Sequence, residues 1–431
     1  PGTDEPQKNR RQFLTQSSLS LAAAGMASLP WHRHAKAQSS TPRKFVQIFL
    51  TGGWDSALAT DPVMGSKQTS GNYATAYNAL AATTVAGKSN LIVCPGLSPA
   101  ATAFGNMNTA FVNGMFVEVT AHELAVNYLY SGRMSLSRSR EYPAFIALAG
   151  AADTSFPPFV NIGDRLPLGE TALTAPPLAS VVPNGITELL RGPYNEWDDP
   201  GLAGRAQTLI QSLDQRFSSN LTGNSAQSIQ AWSNSSGGIP ALYAADYPDQ
   251  MAFDDTIKTR YSFTDEWSSN GPSCLAGAYL TLKASLSRYV NLAFGQYDTH
   301  TNHLNAHTSE MQQFAAALSV FVNDLRNTPD PDNASQSLAD NTTIVILSEF
   351  VRTPQFNSQN GTDHWQAGSA IVMGAGVKDN TVVGAADDAA QAMGWNGTSA
   401  VARSDSNTLL PDHFAAAVLR HCGFATEAAQ A

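Results

Sequence analysis

Two kinds of apolar pattern alternate along this chain. Phe45-Val46-Gln47-Ile48-Phe49-Leu50 is almost continuous in apolar side chains, as strands buried on both faces are. Thr51-Gly52-Gly53 breaks the run and leaves Asp55 just past its carboxyl end. Shorter runs at 91–94, 116–119, 145–148, 159–160, 290–294, 343–347 and 370–373 predict further strands. Elsewhere the apolar spacing is three and four. Leu275, Tyr279, Leu282, Leu286 and Tyr289 predict one amphipathic helix, and Met311, Phe314, Leu318, Phe321 and Leu325 the next. A helix over 120–131 closes on Gly132, with Thr120 and Glu123 at capping-box spacing. Further helices are expected at 201–217 and, opened by Pro411, at 412–421. Residues 133–270 are irregular and broken by stretches such as Pro176-Pro177, as an insertion or cap would be. Helices alternating with short buried strands predict an α/β fold, a mostly parallel central sheet with helices on both faces.

The N-terminus changes the picture first. Arg10-Arg11-Gln12-Phe13-Leu14 precedes a mildly apolar stretch over 19–29 and then Ala35-Lys36-Ala37, a small-x-small triplet. This order predicts a twin-arginine signal peptide over 1–37, cleavage before Gln38, and a periplasmic or secreted protein. The competing reading is a basic helix on a cytosolic protein. Residues 38–431 are then read as a single domain, the irregular segment being its insertion. With five of the 25 Lys and Arg and two of the 35 Asp and Glu in residues 1–37, the remainder carries 20 basic against 33 acidic residues, net −13. No basic cluster survives, which argues against a nucleic-acid partner. No later stretch is long and apolar enough for a membrane span. The cysteines, Cys94, Cys274 and Cys422, lack any zinc-ribbon or thioredoxin spacing.

Candidate chemistry gathers just after the predicted strands. Asp298, His300 and His303 follow the 290–294 strand, and a carboxylate with imidazoles suits zinc, manganese or iron better than calcium. The alternative is a polar loop whose histidines cap the next helix, the role assigned to His307. Glu349 ends the 343–347 strand at the edge where α/β sheets place ligands, or simply pairs with Arg352. Arg352 itself either forks onto an anionic substrate group or positions Glu349. His364 is a ligand candidate, with Asp363 orienting it or capping a turn. Asp55 meets the same edge or makes an Asp turn, with Ser56 beside it. Thr120 at a helix start is a candidate nucleophile or a plain cap, and His122 could face the same site.

Taken in order, Gly52 to Asp55, Tyr297 to His300, Ser348 to Pro354 and Asp363 to Trp365 resemble the motifs of the alkaline phosphatase-like superfamily. They are closest to a subgroup of twin-arginine-exported secreted proteins of unknown function. The resemblance implies that fold. It also implies metal ligation by Asp55, by Asp298 with His300 or His303, by Glu349 and by His364, with Thr120 in the nucleophile's place. Phe350 stands where those hydrolases carry an imidazole, so the resemblance implies one divalent metal at most (zinc, manganese or iron) and no organic cofactor. Two functions remain. One is a metal-dependent hydrolase of phosphate or sulfate esters, with Arg352 or His122 binding a small anionic substrate. The other is a non-catalytic exported module that holds a protein or glycan partner.

Overall fold

The computed structural model describes residues 43–62, 77, 81–132, 134, 142, 146, 160–162, 179–181, 250–264, 270–387 and 389–423. In chain order its strands are β1 (Lys44–Leu50), β2 (Thr83–Val85), β3 (Lys88–Val93), β4 (Thr109–Met115), β5 (Val160–Ile162), β6 (Ala179–Val181), β7 (Tyr289–Phe294), β8 (Pro329–Asp330), β9 (Asn333–Ser337), β10 (Thr342–Leu347), β11 (Val351–Arg352), β12 (His364–Trp365), β13 (Gly368–Gly374), β14 (Thr381–Val383), β15 (Gly394–Trp395) and β16 (Ala400–Val401). The helices that matter here are α1 (Ala101–Asn106), α2 (His122–Ser131), α3 (Asp255–Tyr261), α4 (Pro272–Lys283), α5 (His303–Asn327), α6 (Leu338–Asn341) and α7 (Pro411–His421). The expected signal segment, the 201–217 helix and most of the expected insertion lie outside the described residues. Among the described residues, no helix is long and apolar enough to cross a membrane.

One eight-stranded sheet organises the rest, in the order β14-β4-β13-β10-β1-β7-β5-β6. β1 pairs in parallel with both β10 and β7, and the parallel run continues through β5 to β6. β13 alone is reversed, antiparallel to β10 on one side and to β4 on the other, while β14 runs parallel to β4. The mixed α/β architecture and mostly parallel sheet match the expectation from sequence.

Alternate residues of the central strands feed two cores, because side chains on a strand switch faces with every residue. Val46, Ile48, Leu50, Ile344, Ile346, Ile371 and Met373 pack with Leu275, Leu282, Met311, Phe314 and Phe321 from α4 and α5. Phe45, Phe49, Val345, Leu347 and Val372 pack instead with Leu129 and Tyr130 of α2 and with Phe414 and Leu419 of α7. Helices therefore cover both faces.

The amino edge of the parallel strands is closed by charge. Lys44, at the start of β1, is buried with its ammonium 2.7 Å from Asp330 and 2.6 Å from Asp332. Arg288, just before β7, forks onto the two Asp332 oxygens at 2.9 and 3.1 Å, and Asn341 donates to Asp330 at 2.8 Å. Burial opposes ionisation of Asp332, but these two cations outweigh it and hold its carboxyl below the usual value.

Several expected elements move. The strand expected at 116–119 lies earlier, as β4, and residues 116–119 leave the sheet, with the Phe116 N–H donating to the Leu409 carbonyl at 2.7 Å. Polar residues inside β4 hid it: Asn113 is buried but satisfied by Thr60, at 2.8 and 2.9 Å. The helix expected from Thr120 begins at His122, with Ala121 as its cap residue and no side-chain cap bond, so the capping box does not form. Its C-terminal stop is as expected, Gly132 adopting φ 66°. Ile146, expected in a strand, is helical. The helix carrying Leu275, Tyr279 and Leu282 ends at Lys283; Ser285 turns at φ 54° and Tyr289 already belongs to β7.

Candidate metal centre

The carboxyl edge of the same strands gathers the candidate chemistry. Asp298 and His300 follow β7, Ser348 to Arg352 follow β10, and Thr120 and His122 follow β4. His364, in the short β12, precedes the sheet strand β13, yet reaches this edge because β13 runs backwards: Gly368 pairs with Met115 and Ala370 with Leu347. Two glycines let the loop after β1 pass through the middle. Gly52 has φ 110°, and a Cβ there would lie 2.4 Å from the Asp298 nitrogen. Gly53 has φ 85°, and a Cβ there would lie 2.5 Å from the Phe350 ring.

Asp298 is the focus. Its Oδ1 lies 3.1 Å from His364 Nε2 and 3.0 Å from His300 Nε2, and its Oδ2 lies 3.5 Å from His122 Nε2. His364 and His300 Nε2 are 3.2 Å apart. Each imidazole is turned by an oxygen behind it. His122 Nδ1 lies 2.8 Å from the carboxylate of Glu349, which can only accept, so its proton sits on Nδ1 and Nε2 faces Asp298. His364 Nδ1 lies 2.7 Å from the Thr120 carbonyl, an acceptor, and so carries a proton there. His300 Nδ1 lies 3.2 Å from Asp363. This backing of a ligating imidazole by an oxygen acceptor is how metal-binding histidines are held. Phe350 supports the rings from below, its centroid 4.5 Å from that of His364 and 5.0 Å from that of His122.

The donor set fits a divalent ion. His122, Asp298 and His364 each offer an atom within 4.8 Å of the others, and His300 adjoins them. Bond lengths of about 2.0–2.1 Å around tetrahedral zinc put ligand atoms roughly 3.3 Å apart. The contacts to Asp298, between 3.0 and 3.5 Å, bracket that value. Nitrogen and carboxylate donors in this mix favour zinc, manganese or iron.

The electrostatics are set by neighbours. Burial pushes the Asp298 carboxyl up, but hydrogen bonding and charge from Arg352, with help from His364 and His122, bring it down to about 2. The Glu349 hydrogen bond raises His122 above the ordinary imidazole value, against the effect of burial. Arg352 is only 1 % exposed. Its Nε donates to the Gly53 carbonyl at 2.9 Å, its Nη1 to that of Thr362 at 3.2 Å, and its Nη2 to Gly52 and Asp298.

The expected site thus divides. Asp298, His300 and His364 come together, with His122 among them. Glu349 stands behind His122 as its acceptor: Oε1 also takes the Gly52 N–H at 2.8 Å, and Oε2 lies 2.9 Å from the Ser348 hydroxyl. Arg352, expected either to fork onto a substrate anion or to position Glu349, is engaged instead by three backbone carbonyls and Asp298. Thr120 contributes its carbonyl. Asp363 backs His300, not His364. Asp55 and His303, expected as ligands, sit in a separate buried knot. Asp55 Oδ1 caps the Ala57 N–H at 2.9 Å, and Oδ2 accepts from Tyr77 and lies 3.0 Å from His303 Nε2. His307, expected as a helix-capping residue, belongs to this knot, where burial first, then His303 and Arg352, push its pKa well below the ordinary value. Sequence reasoning missed Thr299, Thr362 and Tyr77; only the adjacency of the threonines to Asp298 and Asp363 marks them.

Fold and side chains together define a mixed α/β protein with a His/Asp/His group on the carboxyl edge of a mostly parallel sheet. A family model described as a protein of unknown function, DUF1501, matches residues 199–402. That segment holds Asp298, His300, Glu349, Arg352 and His364 and begins after Asp55 and His122. No curated protein and no solved structure matches the chain.

Proposed function

We propose that this chain binds one divalent transition metal through His122, Asp298 and His364, with His300 adjoining, and that it is an exported, alkaline phosphatase-like hydrolase of phosphate or sulfate esters. One observation carries the metal reading: the Nε2 atoms of His122 and His364 both aim at one carboxylate, each ring locked by an oxygen on its far side. A bound divalent ion supplies Lewis acidity, polarising an ester oxygen and stabilising a leaving group. The chain's own residues do the rest. Glu349 keeps the His122 proton on Nδ1, Arg352 holds Asp298 ionised, and Phe350 walls one side of the rings.

The second reading is a non-catalytic exported module for a protein or glycan, with the metal tying its loops together. It is favoured by Arg352, whose guanidinium is buried and already engaged by Gly52, Gly53, Thr362 and Asp298. Metal analysis of the purified chain, with a screen on aryl phosphates, aryl sulfates and phosphodiesters, separates them. Stoichiometric metal and ester hydrolysis, both lost in Asp298→Ala/His364→Ala, support the enzyme. Metal without turnover supports the module, and a metal-free, inert chain sinks the first reading.

A further inference from the structure

Asp298 and His300 flank Thr299, and Thr299 faces the other way, into the buried knot. The donors there can be assigned around a closed ring. The Asp55 N–H donates to His307 Nε2 at 2.8 Å, which leaves the His307 proton on Nδ1. His307 Nδ1 then donates to Thr299 Oγ1 at 3.1 Å. The Thr299 hydroxyl donates to His303 Nδ1 at 2.6 Å in preference to the Tyr297 carbonyl at 3.3 Å, and His303 Nε2 donates to Asp55 Oδ2 at 3.0 Å. The ring returns to the residue where it began. Thr362 adds a second hydroxyl 2.9 Å from His303 Nδ1. His303 and His307 are fully buried, as is Thr362, and Thr299 is nearly so.

The ring also holds the backbone that carries the metal candidates. Thr299 and His300 N–H groups fold back onto the Tyr297 and Asp298 carbonyls at 2.9 and 3.2 Å, so the segment is a tight pair of turns. The Thr362 N–H donates to the Thr299 carbonyl at 3.1 Å, which ties the Asp363–His364 loop to the same threonine. Buried polar networks of this kind fix geometry when every member is satisfied.

We infer that the Asp55–His307–Thr299–His303 ring is a positioning device for the metal centre: the Thr299 hydroxyl sets where Asp298 and His300 stand, and the ring takes no metal of its own. This rests on the metal reading above. Thr299→Val keeps the shape and removes the hydroxyl, whereas Thr299→Ser keeps the hydroxyl. Zn²⁺ affinity by competition titration and the visible spectrum of the Co²⁺-loaded chain are measured for wild type and both variants, with folding checked by circular dichroism. Folded Thr299→Val is expected to bind Zn²⁺ about 10–100-fold more weakly, as loss of outer supports around metal ligands does, and to shift the Co²⁺ spectrum. Thr299→Ser is expected to restore both. Wild-type affinity and spectrum in Thr299→Val overturn the inference while leaving the metal reading intact. A wild-type chain that takes up neither ion overturns the metal reading, and the inference with it. If Thr299→Val does not fold, Thr362→Val decides in the same way, with a weaker expected effect because the ring itself stays closed; unchanged Zn²⁺ affinity and Co²⁺ spectrum there overturn the inference.

Discussion

The two edges of the sheet use the same kinds of side chain to opposite ends. At the amino edge Lys44, Arg288, Asp330 and Asp332 neutralise one another, two cations against two carboxylates, almost wholly out of water. At the carboxyl edge one carboxylate, 43 % exposed at its side chain, takes Arg352 from within and faces three imidazoles from the open side, the outer Nδ1 of His122 and of His364 already held by an oxygen acceptor. The first arrangement is complete as it stands. The second is open to solvent, its imidazole nitrogens converging on one carboxylate at 3.0–3.5 Å. A closed ion network holds strands in register; an exposed convergence of nitrogen and carboxylate atoms is the arrangement on which the proposed cation site rests.

The sharpest way to break this contrast is to remove a converging donor. His364→Ala is expected to drop metal content to background, read by elemental analysis, while circular dichroism stays unchanged. The reverse experiment is Lys44→Met, which leaves buried Asp330 without a cation and Asp332 with Arg288 alone. It is expected to cost about 3–5 kcal/mol of unfolding free energy in urea titrations, with metal stoichiometry kept in the folded fraction. If Lys44→Met instead lost metal at full stability, the division of labour would be wrong. Glu349→Gln comes next: the acceptor behind His122 survives as a neutral amide, and metal affinity is expected to fall about 10–100-fold. Because Glu349 also raises His122, this variant is expected to compete less with protons, so its affinity falls off at a lower pH than the wild type's.

The smallest effect separates the edges by pH. His307 has a folded pKa below the ordinary 6.5, so the unfolded chain binds a proton that the folded chain refuses. Its cost is absent above that value and grows as pH falls below it. Asp332 has a folded pKa below 3.8, so its contribution is present above that value and lost only as pH falls further, through the folded pKa. Urea stability against pH should therefore decline in two windows, and His307→Gln should flatten the upper one alone. An unchanged upper window in that variant would assign the decline to another group.

Legibility followed the same divide. The strands β1, β7 and β10 were readable because burial on both faces demands continuous apolar runs, and α5 because its apolar stripe repeats over its length. β4 was misplaced because Thr109 and Asn113 interrupt its run, and nothing local reveals that Thr60 satisfies the asparagine. Asp298, His300 and His364 stood out by residue type and their place beside strands. The split between ligand candidates and buried knot did not. Asp55 and His303 have the same chemistry as Asp298 and His364, and only the fold decides which pair is capped by hydroxyls and which looks outward. His122 was readable as a residue that could face the site; that it does so with a locked tautomer depends on Glu349, distant in sequence.

The reversed course of β13 has a consequence for how this centre comes into being. His364 meets the Thr120 carbonyl across 244 positions of chain, and it can do so only once a strand has been inserted backwards between β10 and β4. No early hairpin or single βα unit contains the donor set. On the proposed metal reading, cation capture is expected to wait for that docking, and Co²⁺ colour that develops no earlier than native structure after dilution from urea would bear this out.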